Sequence, residues 1–327
     1  MITVAVIGAA GKMGREVVRM VGQSPDFQLV AAIGHRQGVG QDAGEVAGLG
    51  AVGVPIEADL NAALRRAHPQ VCVDFTSPQA GAEDAEQVLR AGSRLVLGTT
   101  GIDRATLARL DRLASTQGLG AIVAANFSLG ALLMMQFAAQ AARYFADVEI
   151  IEGHGVHKKD APSGTALRTA ELIARAREEA ATRSDPGSGA GAAAPTPFGT
   201  MTADEGRATT PGGAAAMPDA PQAAGEPTPS AASRARGVVV AGVPIHSLRL
   251  PGFVAHQEVI WGLPGQTLRI IHDSTDRSSF MPGVSLAIRQ VLNVVGLVDL
   301  VDLLASGGGP ATEVGPAGPG TSGARPL

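Results

Sequence analysis

The sequence predicts an α/β protein: a parallel sheet layered with helices, followed by a smaller α+β domain with a mixed sheet. Three observations carry this. Over the first 126 residues short apolar runs alternate with helix-period runs, the pattern of βαβ units. Past Asn126 the order changes to a long helix, a strand, a second helix and then further strands, which suits a partly antiparallel sheet. A glycine-rich turn closes the first strand and opens the first helix.

In the first part the strand-like runs are "ITVAVIG", "FQLVAAIG", "VCVDFT", "RLVLGTT" and "GAIVAAN". The helix-like runs between them are "GREVVRMVGQS", "DAEQVLRAG" and "DRATLARLDRLASTQ". Right-handed crossovers put the carboxyl ends of the strands, and any ligand, along one edge. The second part holds the helix "LGALLMMQFAAQAARYF", the strand "DVEIIEGHG" and the helix "GTALRTAELIARAREEA". The runs "GVVVAGVPIHSLRL", "AHQEVIWG" and "QTLRIIHDS" complete its sheet. The stretches "GVSLAIRQVLNVVG" and "LVDLVDLLA" return to the first domain. The expected boundaries are 1–126 with 277–305 for a dinucleotide-binding domain, and 127–276 for a substrate domain.

The chain has 327 residues, 45 % hydrophobic and 17 % charged, which fits a soluble globular protein of one large or two modest domains. No apolar run approaches the roughly 18 residues of a membrane span. The start "MITVAVIGAAGKMG" has no basic leader and enters a strand at once, so no secretory signal is expected. The single cysteine, Cys72, excludes an internal disulfide and a multi-cysteine metal site; no metal is expected. It sits in "VCVDF" and reads as a core residue, with the cytoplasm as the default compartment. A net charge of −4 and 3 % aromatics give neither a basic footprint nor stacking platforms for nucleic acid. Residues 184–236 and the tail from Ser306 are dominated by small residues and proline. They have too little apolar surface to offset the entropy of ordering, so both are expected as flexible surface segments.

Gly8, Gly11 and Gly14 fall three apart in "GAAGKMG", with Ala10 where the commoner dinucleotide fingerprint has glycine. Such a loop makes a tight turn, lets backbone approach a pyrophosphate, and aims the free N–H groups of a helix start at the anion. A tight turn without a ligand would read the same way in isolation. This setting predicts a Rossmann-like nucleotide domain. The second strand ends in Gly34, His35 and Arg36, where an NAD-specific site would place an acid on the ribose hydroxyls. A 2′-phosphate would meet no repulsion there, and His35, Arg36 and Lys12 are potential donors; a solvated turn is the alternative. Gly98, Thr99 and Thr100, then Ala125, Asn126 and Phe127, end later strands on the edge where a nicotinamide would lie. Their backbone can hydrogen-bond a carboxamide, or these can be ordinary strand-to-helix turns.

In "EGHGVHKKDAPSGTA", Ser163, Gly164 and Thr165 precede a helix and offer N–H groups to an anion. The alternative is that Asp160 or Ser163 merely caps that helix. Lys158 and Lys159 are adjacent, so in extended backbone at most one faces a given pocket. His154 ends a strand and suits acid–base work near neutral pH. A cation, a helix start and a histidine together suit a small substrate bearing carboxylates.

The stretches "VIGAAGKMGREV", "DFTSP", "LGTTG", "AANFSLG", "HKKDAPSGTA", "HSLRLPGFVAHQEVIWG" and "HDSTDRSSFMPG" resemble the dihydrodipicolinate reductases, also called 4-hydroxy-tetrahydrodipicolinate reductases, of diaminopimelate and lysine biosynthesis. The resemblance covers roughly residues 1–183 and 237–300. It implies a dinucleotide-binding domain joined to a smaller sheet domain that builds a homotetramer. It also implies reduction of a cyclic dicarboxylate imine by NADPH or NADH. On the matching positions, His154 is the proton donor and acceptor, Lys158 the catalytic lysine, and Gly164 with Thr165 the carboxylate-binding pair. Gly8, Ala9, Ala10, Gly11, Lys12 and Met13 match the family's cofactor loops, as do Gly98 to Thr100 and Ala124 to Phe127. The family carries two adjacent histidines where this chain has His154 and Gly155, which puts one substrate contact in question; His157 is the nearest replacement. Two rivals stay open: a catalytically silent NADP-binding sensor and another dehydrogenase on the same scaffold.

Overall fold

A computed structural model describes residues 1–183 and 236–306. The expected insert 184–236 and tail 306–327 lie outside the described residues, apart from Arg236 and Ser306. The chain divides into two compact units, Met1–Leu132 with the segment from Arg277 onward, and Leu133–Asp276.

The first unit alternates strand and helix: β1 (Ile2–Ile7), α1 (Lys12–Gln23), β2 (Phe27–Ile33), α2 (Ala43–Ala47), β3 (Ile56–Glu57), α3 (Leu60–Ala67), β4 (Val71–Asp74), α4 (Pro78–Arg90), β5 (Arg94–Leu97), α5 (Arg104–Gln117) and β6 (Gly120–Val123). It takes the start of α6 (Leu129–Ala141), and after residue 276 it adds α8 (Met281–Gln290), β12 (Gly296–Asp299) and α9 (Leu300–Ala305). Its seven strands run in the order β12-β6-β5-β4-β1-β2-β3, every neighbouring pair parallel. Parallel strands covered on both faces need apolar side chains in succession, and Val4 to Ile7 and Val71 to Val73 are all fully buried. Leu60, Leu64, Val88, Leu89 and Leu110 from the helices pack on them, and Cys72 lies in this core.

Two strands of this sheet were not expected. β3 has two residues, too few to show a period. In "LVDLVDLLA" the break falls at Asp299, whose carboxylate accepts from Val301 N at 3.1 Å and caps α9. The four residues before α9 therefore extend, and β12 pairs with β6, Gly296 opposite Gly120. Other helix starts follow the same chemistry. Asp103 accepts from Thr106 N at 2.9 Å, and α5 ends at Gly118 with φ +65°.

The second unit holds β7 (Asp147–His154), α7 (Gly164–Arg183), β8 (Val238–Val240), β9 (Val243–Arg249), β10 (Ala255–Leu263) and β11 (Gln266–Ser274). The strand order is β11-β10-β7-β9-β8; β7 and β9 are parallel and the other pairs antiparallel. The run read as one strand, "GVVVAGVPIHSLRL", is a hairpin. Ala241 and Gly242 both take positive φ, +49° and +77°, the geometry a two-residue hairpin turn demands. α7 covers one face, where Val148, Ile150, Val259 and Trp261 are buried and Gln257 Nε2 donates to Thr169 Oγ1 at 2.7 Å. Strand alternation puts Ile151, Leu248, Ile260 and Ile271 on the opposite face, which no described element of this unit covers.

Candidate active site

The first unit assembles the expected cofactor loops at the carboxyl ends of its strands. Gly8 has φ +78°, and a Cβ there would stand 3.2 Å from the Phe75 carbonyl and from Thr76 Cγ2. A Cβ at Gly14 would fall 2.0 Å from the Gly8 carbonyl oxygen, so the turn packs only with glycine at both places. Gly8 N and Ala9 N both donate to the Ile33 carbonyl at 2.9 Å, which fixes the loop against β2. Gly11 caps α1 without a side-chain hydrogen bond, and no acid stands in the first turn. The N–H groups at Lys12 and Met13 thus open a helix whose positive end is not neutralised by the chain. Ala9 and Ala10 are buried, while Lys12 is exposed and makes no ion pair among the described residues. This cradle fits a pyrophosphate.

At the end of β2, Arg36 is exposed and without a partner among the described residues. His35 is not a free donor. Its Nε2 lies 2.9 Å from Asp84 Oδ2, a buried carboxylate on α4. One ring nitrogen is committed there, so Arg36 and Lys12 carry the unshared positive charge. Gly34 is held by space: a Cβ would come 2.6 Å from the Gln37 carbonyl oxygen and 2.9 Å from Ile56 Cγ2.

The turn after β4 is the hub of this edge, and its residues had no role assigned from sequence. The Phe75 ring occupies the position a Cβ at Gly98 would take, 2.0 Å away, and meets Phe127 edge-on at 5.4 Å between centroids. Asp74 is fully buried; its Oδ1 accepts from Thr76 N and Thr76 Oγ1 at 2.7 Å and from Thr99 Oγ1 at 3.3 Å. Its Oδ2 is buried without a hydrogen-bond partner among the described residues, and desolvation pushes the carboxyl up to about 6. Thr99 and Phe127 are buried, Thr100 is exposed, and Ala124 is buried beside half-buried Ala125. Asn126 Oδ1 accepts from Ser128 N at 2.8 Å, shaping the turn into α6.

The second unit gathers the expected substrate residues. His154 ends β7 on the face that α7 covers, and Glu152 shares that face two residues earlier. Glu152 is fully buried, and its Oε2 lies 2.6 Å from His154 Nδ1. Arg249 of β9 grips the same carboxylate, Nη1 to Oε2 at 3.1 Å and Nη2 to Oε1 at 2.9 Å. Burial would raise the Glu152 carboxyl, but hydrogen bonds from His154, Arg249 and Ser247 outweigh it and hold it down at about 2. Arg249 Nη2 also donates to the Asp160 carbonyl at 2.6 Å, pinning the loop between β7 and α7. In that loop Lys158 Nζ is 2.7 Å from Asp160 Oδ2, while Lys159 is exposed and has no ion-pair partner among the described residues. Ser163 Oγ accepts from Ala166 N at 3.3 Å, so the helix start is capped by that side chain, next to Gly164 and Thr165. The expected capping by Ser163 and the expected anion site are compatible, because one hydroxyl satisfies one of several free N–H groups. At Gly155 a Cβ would stand 3.3 Å from the Phe253 carbonyl, so a side chain there needs a small shift of that loop. Glu152 and Arg249 were missed from sequence.

Two family models match, described as dihydrodipicolinate reductase N-terminus over residues 2–127 and C-terminus over residues 130–304. The 4-hydroxy-tetrahydrodipicolinate reductase of Geobacillus kaustophilus is 43 % identical over 298 residues, covering 91 % of this chain and 96 % of that protein. That of a Synechocystis strain is 41 % identical over 303 residues, covering 91 % and 96 %. Among solved structures, a dipicolinate-bound dihydrodipicolinate reductase from Paenisporosarcina sp. TG-14 is 37 % identical with a TM-score of 0.66, over 93 % of this chain and 99 % of that one. An amine dehydrogenase from Mycobacterium smegmatis, 19 % identical with a TM-score of 0.55, shares the fold alone. With both halves matched and relatives this similar along nearly their whole length, the chain belongs to the dihydrodipicolinate reductase family.

Proposed function

We propose that this chain reduces 4-hydroxy-tetrahydrodipicolinate to tetrahydrodipicolinate with NADPH or NADH, with His154 as acid–base and Lys158, Gly164 and Thr165 as carboxylate ligands. The observation that carries the site is His154 at the end of β7, with Nδ1 committed to a buried carboxylate and Nε2 left for chemistry. The bound cofactor supplies a hydride to an electron-poor ring carbon of the substrate. The remaining work belongs to the chain. As negative charge builds on the conjugated enamine, His154 Nε2 delivers a proton. Lys158 exchanges Asp160, a half-exposed partner, for one substrate carboxylate. The N–H groups at Gly164 and Thr165 take the other. Binding of dipicolinate, a planar ring dicarboxylate, by the Paenisporosarcina relative supports a substrate of this shape and charge.

In this reading the pyrophosphate lies on Gly8, Ala9, Ala10, Gly11, Lys12 and Met13. The nicotinamide carboxamide meets the turns at Gly98, Thr99 and Thr100 and at Ala124, Ala125, Asn126 and Phe127. Arg36, with Lys12 and the remaining nitrogen of His35, receives a 2′-phosphate. The first unit is the dinucleotide-binding domain, and the second binds substrate and builds a homotetramer through its uncovered sheet face. A cytoplasmic location belongs to this reading, supported by Cys72 as a buried free thiol.

The test is NADPH oxidation in the presence of freshly generated 4-hydroxy-tetrahydrodipicolinate, with wild type and His154→Gln side by side. Wild type turns over and the variant loses roughly 10²–10⁴-fold in kcat with cofactor affinity retained. A wild type that binds NADPH without turnover is a sensor. Activity only with another substrate makes it a different dehydrogenase. An unimpaired His154→Gln removes the histidine from the chemistry.

A further inference from the structure

Resting on that reading, we propose that Glu152 is a positioning residue that fixes the tautomer and orientation of His154, and that Arg249 is the counter-ion that keeps Glu152 an acceptor. The geometry is specific. His154 Nδ1 and Glu152 Oε2 are 2.6 Å apart, within reach of a strong charge-assisted hydrogen bond. Glu152 has no exposed surface, whereas the His154 side chain keeps 14 % of its own. The carboxylate is therefore enclosed and the imidazole alone reaches the open side.

Arg249 binds both oxygens of Glu152 through two different nitrogens. A buried carboxylate beside an imidazole could otherwise take the proton itself and stop holding the ring. Two guanidinium bonds, with Ser247 adding a third donor, keep the charge on the carboxylate. An ionised acceptor requires the proton on Nδ1, so the neutral ring presents a bare Nε2. In turnover that bare Nε2 first takes a proton from solvent; the imidazolium then gives the Nε2 proton to the substrate, and its bonding pair stays on the nitrogen. The ring is left as the Nδ1–H tautomer, and Glu152 neither gains nor loses a proton. The arrangement follows the logic by which a carboxylate orients a catalytic histidine on unrelated folds. Among the described residues, Arg249 from β9 is the charged group bonded to Glu152, and its bond to the Asp160 carbonyl ties in the loop that holds the Lys158–Asp160 ion pair. With Glu152 these charges add to zero.

The experiment compares Glu152→Gln, Glu152→Asp and His154→Gln by kcat, KM, NADPH affinity and pH–rate profile. It also measures the tautomer of wild-type His154 by nitrogen-15 NMR of histidine-labelled, NADPH-bound protein. Glu152→Gln is expected to lower kcat by about 10- to 100-fold with NADPH affinity within about twofold. The limb where activity falls with rising pH should move to lower pH, because an anion no longer favours the charged ring. Glu152→Asp, which keeps the charge, should recover part of kcat and restore the limb. If Glu152→Gln lowers kcat with no movement of the profile, its role is structural packing and the proposal falls. Unchanged kcat in Glu152→Gln beside a damaged His154→Gln also overturns it, while the acid–base reading survives. If His154→Gln is itself unimpaired, the underlying reading fails first. Should Glu152→Gln not fold, the wild-type spectrum decides: an Nδ1–H tautomer supports the proposal and an Nε2–H tautomer ends it.

Discussion

At the scale of single residues, the chemistry was half legible. His154 stood out because a histidine closes an apolar strand just before a lysine pair. Glu152 carried an equally plain signal: two residues earlier on a strand means the same face. Arg249 carried none, since only the parallel pairing of β9 with β7 brings it to that carboxylate. Asp74 is a second case, an acid ending the apolar run "VCVDF" and fully buried there. Its carboxyl ordinarily titrates near 3.8 and is raised to about 6 in the folded chain. Between those values the folded state holds a proton that the unfolded chain has released, so stability falls as pH rises through this window. Above it the full penalty, roughly 2–3 kcal/mol for a shift of this size, remains. Asp74→Asn keeps the Oδ1 acceptor for Thr76 and removes the charge. Urea unfolding is expected to show the variant more stable than wild type near pH 8, with the gain gone near pH 4. An equal difference at both pH values would sink the assignment.

At the scale of elements, the βαβ alternation was readable because parallel strands must be apolar throughout and helices carry their own period. What escaped was short or turned on one residue: β3 with two residues, the Asp299 cap that splits an apolar run, and the Ala241–Gly242 turn. The turn of the glycine loop was legible: Gly14 leaves no room for a Cβ, and Gly8 takes a φ of +78° that favours glycine. The end of β2 was legible only in charge. Sequence showed three donors; packing commits His35 to Asp84 and leaves Arg36 and Lys12. It also changes how cofactor choice is tested. A glutamate at Gly34 would collide with the Gln37 carbonyl, so it would report strain along with charge. Arg36→Ala is the cleaner probe. It is expected to lower kcat/KM for NADPH by roughly tenfold and leave NADH nearly unchanged, since one charge-assisted bond to a phosphate is lost. Wild type should use NADPH at least as well as NADH, with that advantage shrinking as salt rises. A tenfold preference of wild type for NADH at low salt would refute this.

At the scale of the whole molecule, two units were foreseen from the change of period near Asn126, and the chain does leave and re-enter the first unit. What sequence could not give was which sheet face stays open, because that depends on register. Ile151, Leu248, Ile260 and Ile271 line up there among Glu149, Glu258 and Arg269, an apolar patch edged by ion pairs such as Arg269–Glu258 at 3.2 Å. Ile271 is 55 % exposed in the single chain, and the proposed homotetramer would cover it. If the proposed homotetramer forms through this face, Ile271→Glu is expected to give smaller species by sedimentation, and an unaltered sedimentation coefficient would remove this face from the proposal. The pairing of β12 with β6 has a consequence of another kind. The strand that completes the seven-stranded sheet is made last, so the first unit cannot close its edge until translation has passed residue 296. Between Val123 and Gly296 the unfolded chain must close a loop of about 170 residues, and that entropy grows only with the logarithm of length. Removing residues 186–234 behind a short linker would shorten the loop by less than a third and change closure by only about 0.3 kcal/mol, in favour of folding. The urea midpoint of the first unit should therefore barely move; a loss beyond about 2 kcal/mol would mean those residues pack against the fold instead of merely spacing it.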